Sequence, residues 1–216
     1  MFPSGEWPVA KVLKYILAKY HLEYDEQTPM PLEIPDAGRD DLAQWLKELN
    51  FTIGVELGVA DGIYSEILAK QNPQMRLYGV DPYKPYKGYK DYQRESTFNR
   101  LKAEAEKRLS GLPNYKFVYQ FGVDALQHFH DDSLSFVFID ANHQEPYISE
   151  DIKAWHRKVK PGSIIAGHDY GQPRHDDGSL MHDVQSAVQK FTSEHNIQPW
   201  FVLGKDEVKT WLWVKS

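Results

Sequence analysis

From residue 51 onward, runs of β-forming residues alternate with helical repeats, and this alternation restricts the fold more than any other feature of the chain. Phe51–Leu57 reads as a strand, followed by a helical pattern near 61–71. "LYGVD" (77–81) is a short second strand, and the helix after it, near 93–110, sets Phe98, Leu101, Ala105 and Leu109 on one side. "YKFVY" (115–119) and "LSFVFID" (134–140) are strands three and four. A helix near 146–158 carries Ile148, Ile152 and Trp155. The turn Pro161-Gly162 then introduces the strand "GSIIAGHD" (162–169), and a helix near 180–193 presents Leu180, Val184, Val188 and Phe191. Strands alternating with helices imply a parallel sheet covered on both faces. Only "KDEVK" separates the last two strands, "WFVLG" and "TWLWVK", and so short a link permits an antiparallel hairpin but no parallel crossover. The expected architecture is α/β: a doubly wound, mostly parallel seven-stranded sheet with an antiparallel C-terminal hairpin at its edge. Ligands of such sheets bind beyond the carboxyl ends of the strands, which selects the turns after Leu57, Asp81, Tyr119, Asp140 and Ala166.

Ahead of residue 51, Val9, Val12, Leu13, Ile16, Leu17 and Tyr20 follow helical spacing. "DEQTPMPLEIPDAG" is Pro-rich and reads as a loop, and Leu42, Trp45, Leu46 and Leu49 mark a second helix. Residues 1–50 are thus expected as an N-terminal helical extension to a domain spanning 51–216, placed to cover a ligand site or to form a homo-oligomer contact. The 216 residues suffice for one domain with a full core. There is no run of about 18 apolar residues, and the first residues lack the basic, apolar and small-residue regions of a leader, so neither a membrane span nor a signal peptide is expected. Cysteine is absent. That excludes disulfides and thiolate chemistry and is compatible with a cytoplasmic protein. The net charge is −6 with the basic residues scattered, whereas non-specific nucleic-acid binding needs a concentrated basic face. No nucleic-acid or membrane partner is expected.

In "FTIGVELGVADGIYSEILAK" the first strand runs into Glu56, Gly58, Asp61 and Gly62. Glycine permits positive φ and close approach of a ligand, and the helix beyond offers unpaired N–H groups. A dinucleotide turn would read G-x-G-x-x-G and seat a pyrophosphate. This one lacks the middle glycine, and the carboxylates of Glu56 and Asp61 would repel a pyrophosphate. A ligand with a cationic centre fits better. Asp81 ends the second strand 25 residues after Glu56, where a carboxylate can accept hydrogen bonds from both hydroxyls of a ribose. The plain alternative is that Asp81-Pro82 only opens a turn.

The fourth strand ends in Asp140, with His143 three residues on, and the fifth ends in His168-Asp169-Tyr170. Neighbouring parallel strands would set Asp140 and Asp169 side by side, and two carboxylates so placed repel unless a cation or proton lies between them. With His168 or Asn142 nearby, this could form an oxygen-rich site for Mg²⁺.

"VELGVADG" resembles the cofactor-binding motif of class I S-adenosylmethionine-dependent methyltransferases, and the end of "LYGVD" resembles their ribose-binding acidic residue. The resemblance spans about residues 50–215, terminal hairpin included. It implies that Gly58, with Gly62 completing the turn, lies against S-adenosylmethionine. Glu56 is then near the methionine end, Asp81 on the ribose and Asp124 of "FGVDAL" near the adenine; Asp140 joins this cofactor-binding set. Ile139-Asp140, His143, Asp151, Trp155, Pro161-Gly162 and Gly167-His168-Asp169-Tyr170 further resemble the branch described as the methyltransferase-24 group. By analogy with related sugar and catechol O-methyltransferases, Asp140 and Asp169 are metal ligands, with His168 a third. The sequence departs from the group's pattern at Glu145, Ser163 and His168.

The implied function is methyl transfer to a hydroxyl of a small molecule, assisted by Mg²⁺. Such transfer is an in-line displacement, so the acceptor oxygen must be aimed and at least partly deprotonated. A metal lowers its pKa, and a histidine can take its proton. His143 is the candidate base, with Asp140 the alternative if it is not a ligand. Two other readings stand beside this one: an NAD-dependent Rossmann-type oxidoreductase, and a cofactor-binding protein without catalysis. Bland roles also exist for individual residues. His143 could cap the helix after it, His168 could donate to a buried carbonyl, and Asp124 could be a helix N-cap. Asp151 and Trp155 could merely pack or solvate their helix. His175, Asp176 and Asp177 form a mobile loop or a substrate lid, and the tyrosines of "DPYKPYKGYKDY" line an acceptor cleft or a surface loop.

Overall fold

A computed structural model describes residues 7–25, 27–85 and 94–216. Helix α1 (Trp7–Lys19), strand β1 (Leu32–Ile34) and helix α2 (Arg39–Glu48) precede the repeating part. Then come β2 (Ile53–Leu57), α3 (Ile63–Gln71), β3 (Arg76–Val80), α4 (Glu95–Leu109) and β4 (Tyr115–Val118). A single helical turn, α5 (Gly122–Ala125), leads to β5 (Leu134–Ile139), α6 (Tyr147–Lys158) and β6 (Val159–Tyr170). Helix α7 (Val184–Glu194) and strands β7 (Trp200–Leu203) and β8 (Lys209–Val214) close the chain.

The strands form one sheet in the order β1-β7-β8-β6-β5-β2-β3-β4. Each neighbouring pair is parallel except β8 with β6 and with β7. The expected α/β sheet is present with two changes. It has eight strands, because Leu32–Ile34 of the stretch read as a loop pairs with β7. Pro31 and Pro35 flank it, and proline is tolerated beside an edge strand whose outer side needs no ladder hydrogen bonds. The antiparallel strand β8 is also not at the edge but inserted between β6 and β7. Strand β6 starts earlier than expected. Val159 pairs with Leu134 before a register shift at Pro161-Gly162, where Gly162 takes a φ of 75°.

Side chains along each central strand alternate between two cores, as a pleat with period two requires. Phe136, Phe138, Ile164, Ala166 and Leu212 join α1, α2 and α3 on one face. Val137, Ile139, Ile165, Trp211 and Trp213 meet α5, α6 and α7 on the other. With both faces covered, the open rim at the carboxyl ends of β2, β3, β5 and β6 is where a ligand can enter. No helix among the described residues is long and apolar enough to cross a membrane.

Candidate active site

A cavity of about 1080 Å³ opens at that rim. Gly58 lines it with a φ of 83°, and its N–H donates to the Val80 carbonyl at 2.9 Å. A Cβ here would lie 1.8 Å from the carbonyl oxygen of Asp140. The glycine therefore lets the ends of β2 and β5 converge, as well as baring the turn. Gly62 caps α3 with a φ of 80°, and a side chain there would strike Leu109 of α4 at 2.8 Å. Its hydrogen serves helix packing, and it does not line the cavity.

Asp81 holds the turn. Its Oδ2 accepts from the N–H groups of Val59 and Ala60 at 3.1 and 3.2 Å, and its Oδ1 from that of Tyr83 at 2.8 Å. A carboxylate has about four lone-pair positions, so capacity remains for about one further donor. Burial pushes its pKa up, against these three hydrogen bonds. Ala60 and Tyr83 both adopt positive φ, 48° and 46°, a conformation costly for residues with a Cβ. The Asp81 bonds, and one of 2.9 Å from the Tyr83 hydroxyl to the Ala60 carbonyl, hold them there.

Glu56 is 2% exposed yet reaches the cavity wall. The Ser65 hydroxyl donates to it, and the Tyr115 hydroxyl lies 3.1 Å from that of Ser65. Burial pushes the Glu56 carboxyl up to about 8; the Ser65 bond opposes this and the Asp140 charge adds to it. Arg39, the first residue of α2, lines the same part of the cavity, its guanidinium 5.2 Å from the Tyr64 ring centroid. Among the described residues that guanidinium has no hydrogen-bonded or ion-paired partner.

The second constellation is compact. His143 Nε2 lies 3.1 Å from Asp140 Oδ1 and 3.3 Å from Asp169 Oδ2. His168 Nδ1 is 3.3 Å from the same Asp169 oxygen and 3.8 Å from Asp140 Oδ2. Register explains the meeting: Ile139 pairs with Gly167, so Asp140 leaves β5 level with His168 and Asp169. Asp169 adopts a φ of 57°, the left-handed region that aspartate tolerates better than most residues. Burial raises the Asp169 pKa, but the hydrogen bond from His168 and the charges of His143, His168 and His182 outweigh it and hold it at about 2. His168 is raised, since its burial is outweighed by Asp169 and Asp140. The His143 segment is clipped to the loop before α7. The Asp183 N–H donates to the His143 carbonyl at 2.8 Å, and the Glu145 N–H to Asp183 Oδ2 at 2.9 Å. Asp140, His143 and Asp169 each offer one ligand atom, all within 4.8 Å of one another.

Glu56, Gly58, Asp81, Asp140, His143 and Asp169 thus share one cavity. His168 stands behind them, outside the lining. Asp124 is exposed and absent from the wall, while its neighbours Gly122 and Val123 form part of it. It is not a helix cap either, because Phe121 caps α5. Pro146, not His143, caps α6. Among the described residues the His168 ring pairs with Asp169 and Asp140 and with no carbonyl. Asp151, expected to pack or solvate, lines the cavity. His175, Asp176 and Asp177 are exposed on a turn where the His175 N–H donates to the Ser179 carbonyl at 2.9 Å. Of the tyrosines in the 81–92 stretch, Tyr83 lines the cavity; Tyr86, Tyr89 and Tyr92 lie outside the described residues.

A family profile described as "Methyltransferase domain", that of the methyltransferase-24 group, matches residues 55–170, more than half of the chain. The chain belongs to this methyltransferase family. The matched segment runs from the Glu56 strand through His168-Asp169-Tyr170, and so includes both constellations of the site. Among solved structures, an O-methyltransferase from Bacillus cereus in complex with S-adenosylhomocysteine aligns at TM-score 0.57 and 15% identity, covering 100% of this chain and 93% of that one. The O-methyltransferase TomG from Streptomyces achromogenes, involved in tomaymycin synthesis and in complex with S-adenosylmethionine, aligns at 0.54 and 18%, covering 97% and 90%. At such identities the likeness is one of fold. No curated protein sequence matches. Neither the family match nor these structures supports the oxidoreductase reading.

Proposed function

We propose that this methyltransferase moves the methyl group of S-adenosylmethionine onto a hydroxyl of a small molecule. The observation that carries the reading is the position of His143 Nε2 between two carboxylates, beside the Gly58 turn. In this mechanism the acceptor O–H gives its proton to the His143 imidazole, whose Nε2–H the two carboxylates hold, as the oxygen's electron pair attacks the methyl carbon. The carbon–sulfur pair stays on sulfur. The products are a methyl ether, S-adenosylhomocysteine and an imidazolium that Asp140 and Asp169 stabilise. Arg39 presents a positive charge to the donor's carboxylate, Glu56 ionises as the cationic donor draws off its proton, and Asp81 has room for a ribose hydroxyl.

A divalent cation is a second reading, favoured by the spacing of Asp140, His143 and Asp169. The residues fit such an ion, with two carboxylates suited to Mg²⁺ and an imidazole that also suits softer metals. Once bound, the ion would lower the pKa of the acceptor hydroxyl, and His143 would be a ligand instead of a base.

Calorimetry with S-adenosylmethionine and with NAD tests the donor, and tighter binding of NAD would overturn it. Formation of S-adenosylhomocysteine with a panel of phenols and sugars, with and without EDTA, tests the chemistry. Full turnover in EDTA removes the metal. His143→Ala is expected to depress turnover with little change in donor affinity, and parent-like activity would remove His143 from the reaction.

A further inference from the structure

We propose that Asp151 receives the exocyclic amino group of the donor's adenine, the position that the sequence resemblance gave to Asp124; this rests on reading the cavity as the S-adenosylmethionine site. Asp151 projects from α6 into the cavity beside Ala154, opposite the loop Phe121–Val123 that follows β4. The two walls nearly touch at Gly122. A Cβ on Gly122 would sit 2.9 Å from Asp151 Oδ1, 3.6 Å from the Trp155 indole nitrogen and 3.6 Å from Leu57 Cδ2. The bare glycine therefore lets one carboxyl, one indole and the end of β2 close around a single point. Leu57 immediately precedes the Gly58 turn, so this point adjoins the proposed donor site.

The carboxyl of Asp151 has no hydrogen bond or ion pair among the described residues. Burial, with the Glu150 charge adding, pushes it up to about 7, and nothing opposes that rise. The Trp155 indole N–H beside it is buried and also lacks a partner. Polar groups kept in a wall without partners cost free energy unless something completes them. Leu57, Phe121, Val123 and Ala154 are apolar members of the same cavity wall. An apolar slot with an acceptor at its edge suits a flat heteroaromatic ring that carries an N–H donor on its rim. The adenine of the donor is such a ring, and its amino group is that donor. Asp124 is exposed and outside the wall, so it cannot serve without a change in the loop.

The test is calorimetry with S-adenosylhomocysteine and with S-inosylhomocysteine, in which an oxo group replaces the amine. Above pH 7, where the Asp151 carboxyl is ionised, the parent is expected to prefer the adenosyl ligand about tenfold or more, as for a hydrogen bond to a charged group. In Asp151→Asn the side-chain amide can donate to the oxo group, so the preference should collapse or invert. Asp124→Ala should leave it unchanged. An undiminished preference in Asp151→Asn overturns the proposal. So does an equal loss of both ligands in that variant with its thermal melt unaltered, because that marks a packing role. A parent that binds the adenosyl ligand but does not discriminate overturns this assignment alone, without recourse to any variant. A parent that binds neither ligand overturns the donor-site reading, and this inference with it.

Discussion

Replacing Gly58 by alanine would set a methyl group 1.8 Å from the Asp140 carbonyl oxygen at a φ of 83°. Neither the strand end nor the turn can yield without losing hydrogen bonds, so a destabilisation of about 2–4 kcal/mol is expected by urea denaturation. An unchanged midpoint would mean that β2 and β5 do not converge there. Asp81→Asn keeps the size but turns an NH2 donor toward backbone N–H groups that both carboxylate oxygens now accept from. It should cost about 1–3 kcal/mol in stability and weaken S-adenosylhomocysteine binding about tenfold; unaltered binding would free Asp81 from any ligand role. That Gly58 and Asp81 stand at strand ends on one rim is legible from the sequence, because a glycine and an acid at those places have few other uses. The positive φ of Ala60 and Tyr83 is not legible. Both residue types disfavour it, and the hydrogen bonds to Asp81 together with that from the Tyr83 hydroxyl to the Ala60 carbonyl impose it. Arg39 is hidden for another reason: its backbone N–H is fixed by Asp206 at 2.8 Å, a contact between distant parts of the chain.

At the scale of elements, the βα alternation and the terminal hairpin were readable because hydrophobic period and link length decide them locally. The pairing of β1 with β7 was not, because three residues between prolines carry no periodicity, and their partner lies near the other end of the chain. The packing of α6 was readable in part. Ile148, Ile152 and Trp155 mark the buried stripe, but His156 beside them is also drawn in. Its ring lies 5.2 Å from that of Phe191 on α7 and 6.2 Å from that of Trp213 on β8. Burial, then the charges of Lys215 and His195, lower its pKa to about 4. The folded value is below the unfolded 6.5, so the neutral ring is favoured in the fold. Its contribution to stability is present above pH 6.5 and is lost as pH falls through 4. Parent stability relative to His156→Leu should fall by about 1–3 kcal/mol across that window. Parallel stability curves for the two proteins between pH 6.5 and 4 would show that the ring is hydrated.

Over the whole molecule, the two-faced core leaves one rim open, and the charges gathered there are not neutralised alike. Asp140 and Asp169 have histidines against them, whereas among the described residues Glu56 has the Ser65 hydroxyl and the field of Arg39. Its pKa of about 8 lies above the unfolded 4.5. The associated stability is therefore fully present below pH 4.5 and is lost as pH rises through 8. In the ligand-free protein at pH 8, Glu56→Gln should gain about 1–3 kcal/mol by avoiding that ionisation, a conflict between stability and function of the kind active sites carry. A cationic donor reverses the balance, because a sulfonium near Glu56 favours the carboxylate. Binding S-adenosylmethionine at pH 7 should then release more protons than binding S-adenosylhomocysteine, which has lost the sulfonium but keeps the adenine and amino-acid ends. Calorimetry in buffers of differing ionisation enthalpy measures the difference. It should vanish in Glu56→Gln; if it survives there, the proton comes instead from His168, whose pKa Asp169 and Asp140 raise, and the buried glutamic acid is a neutral strut.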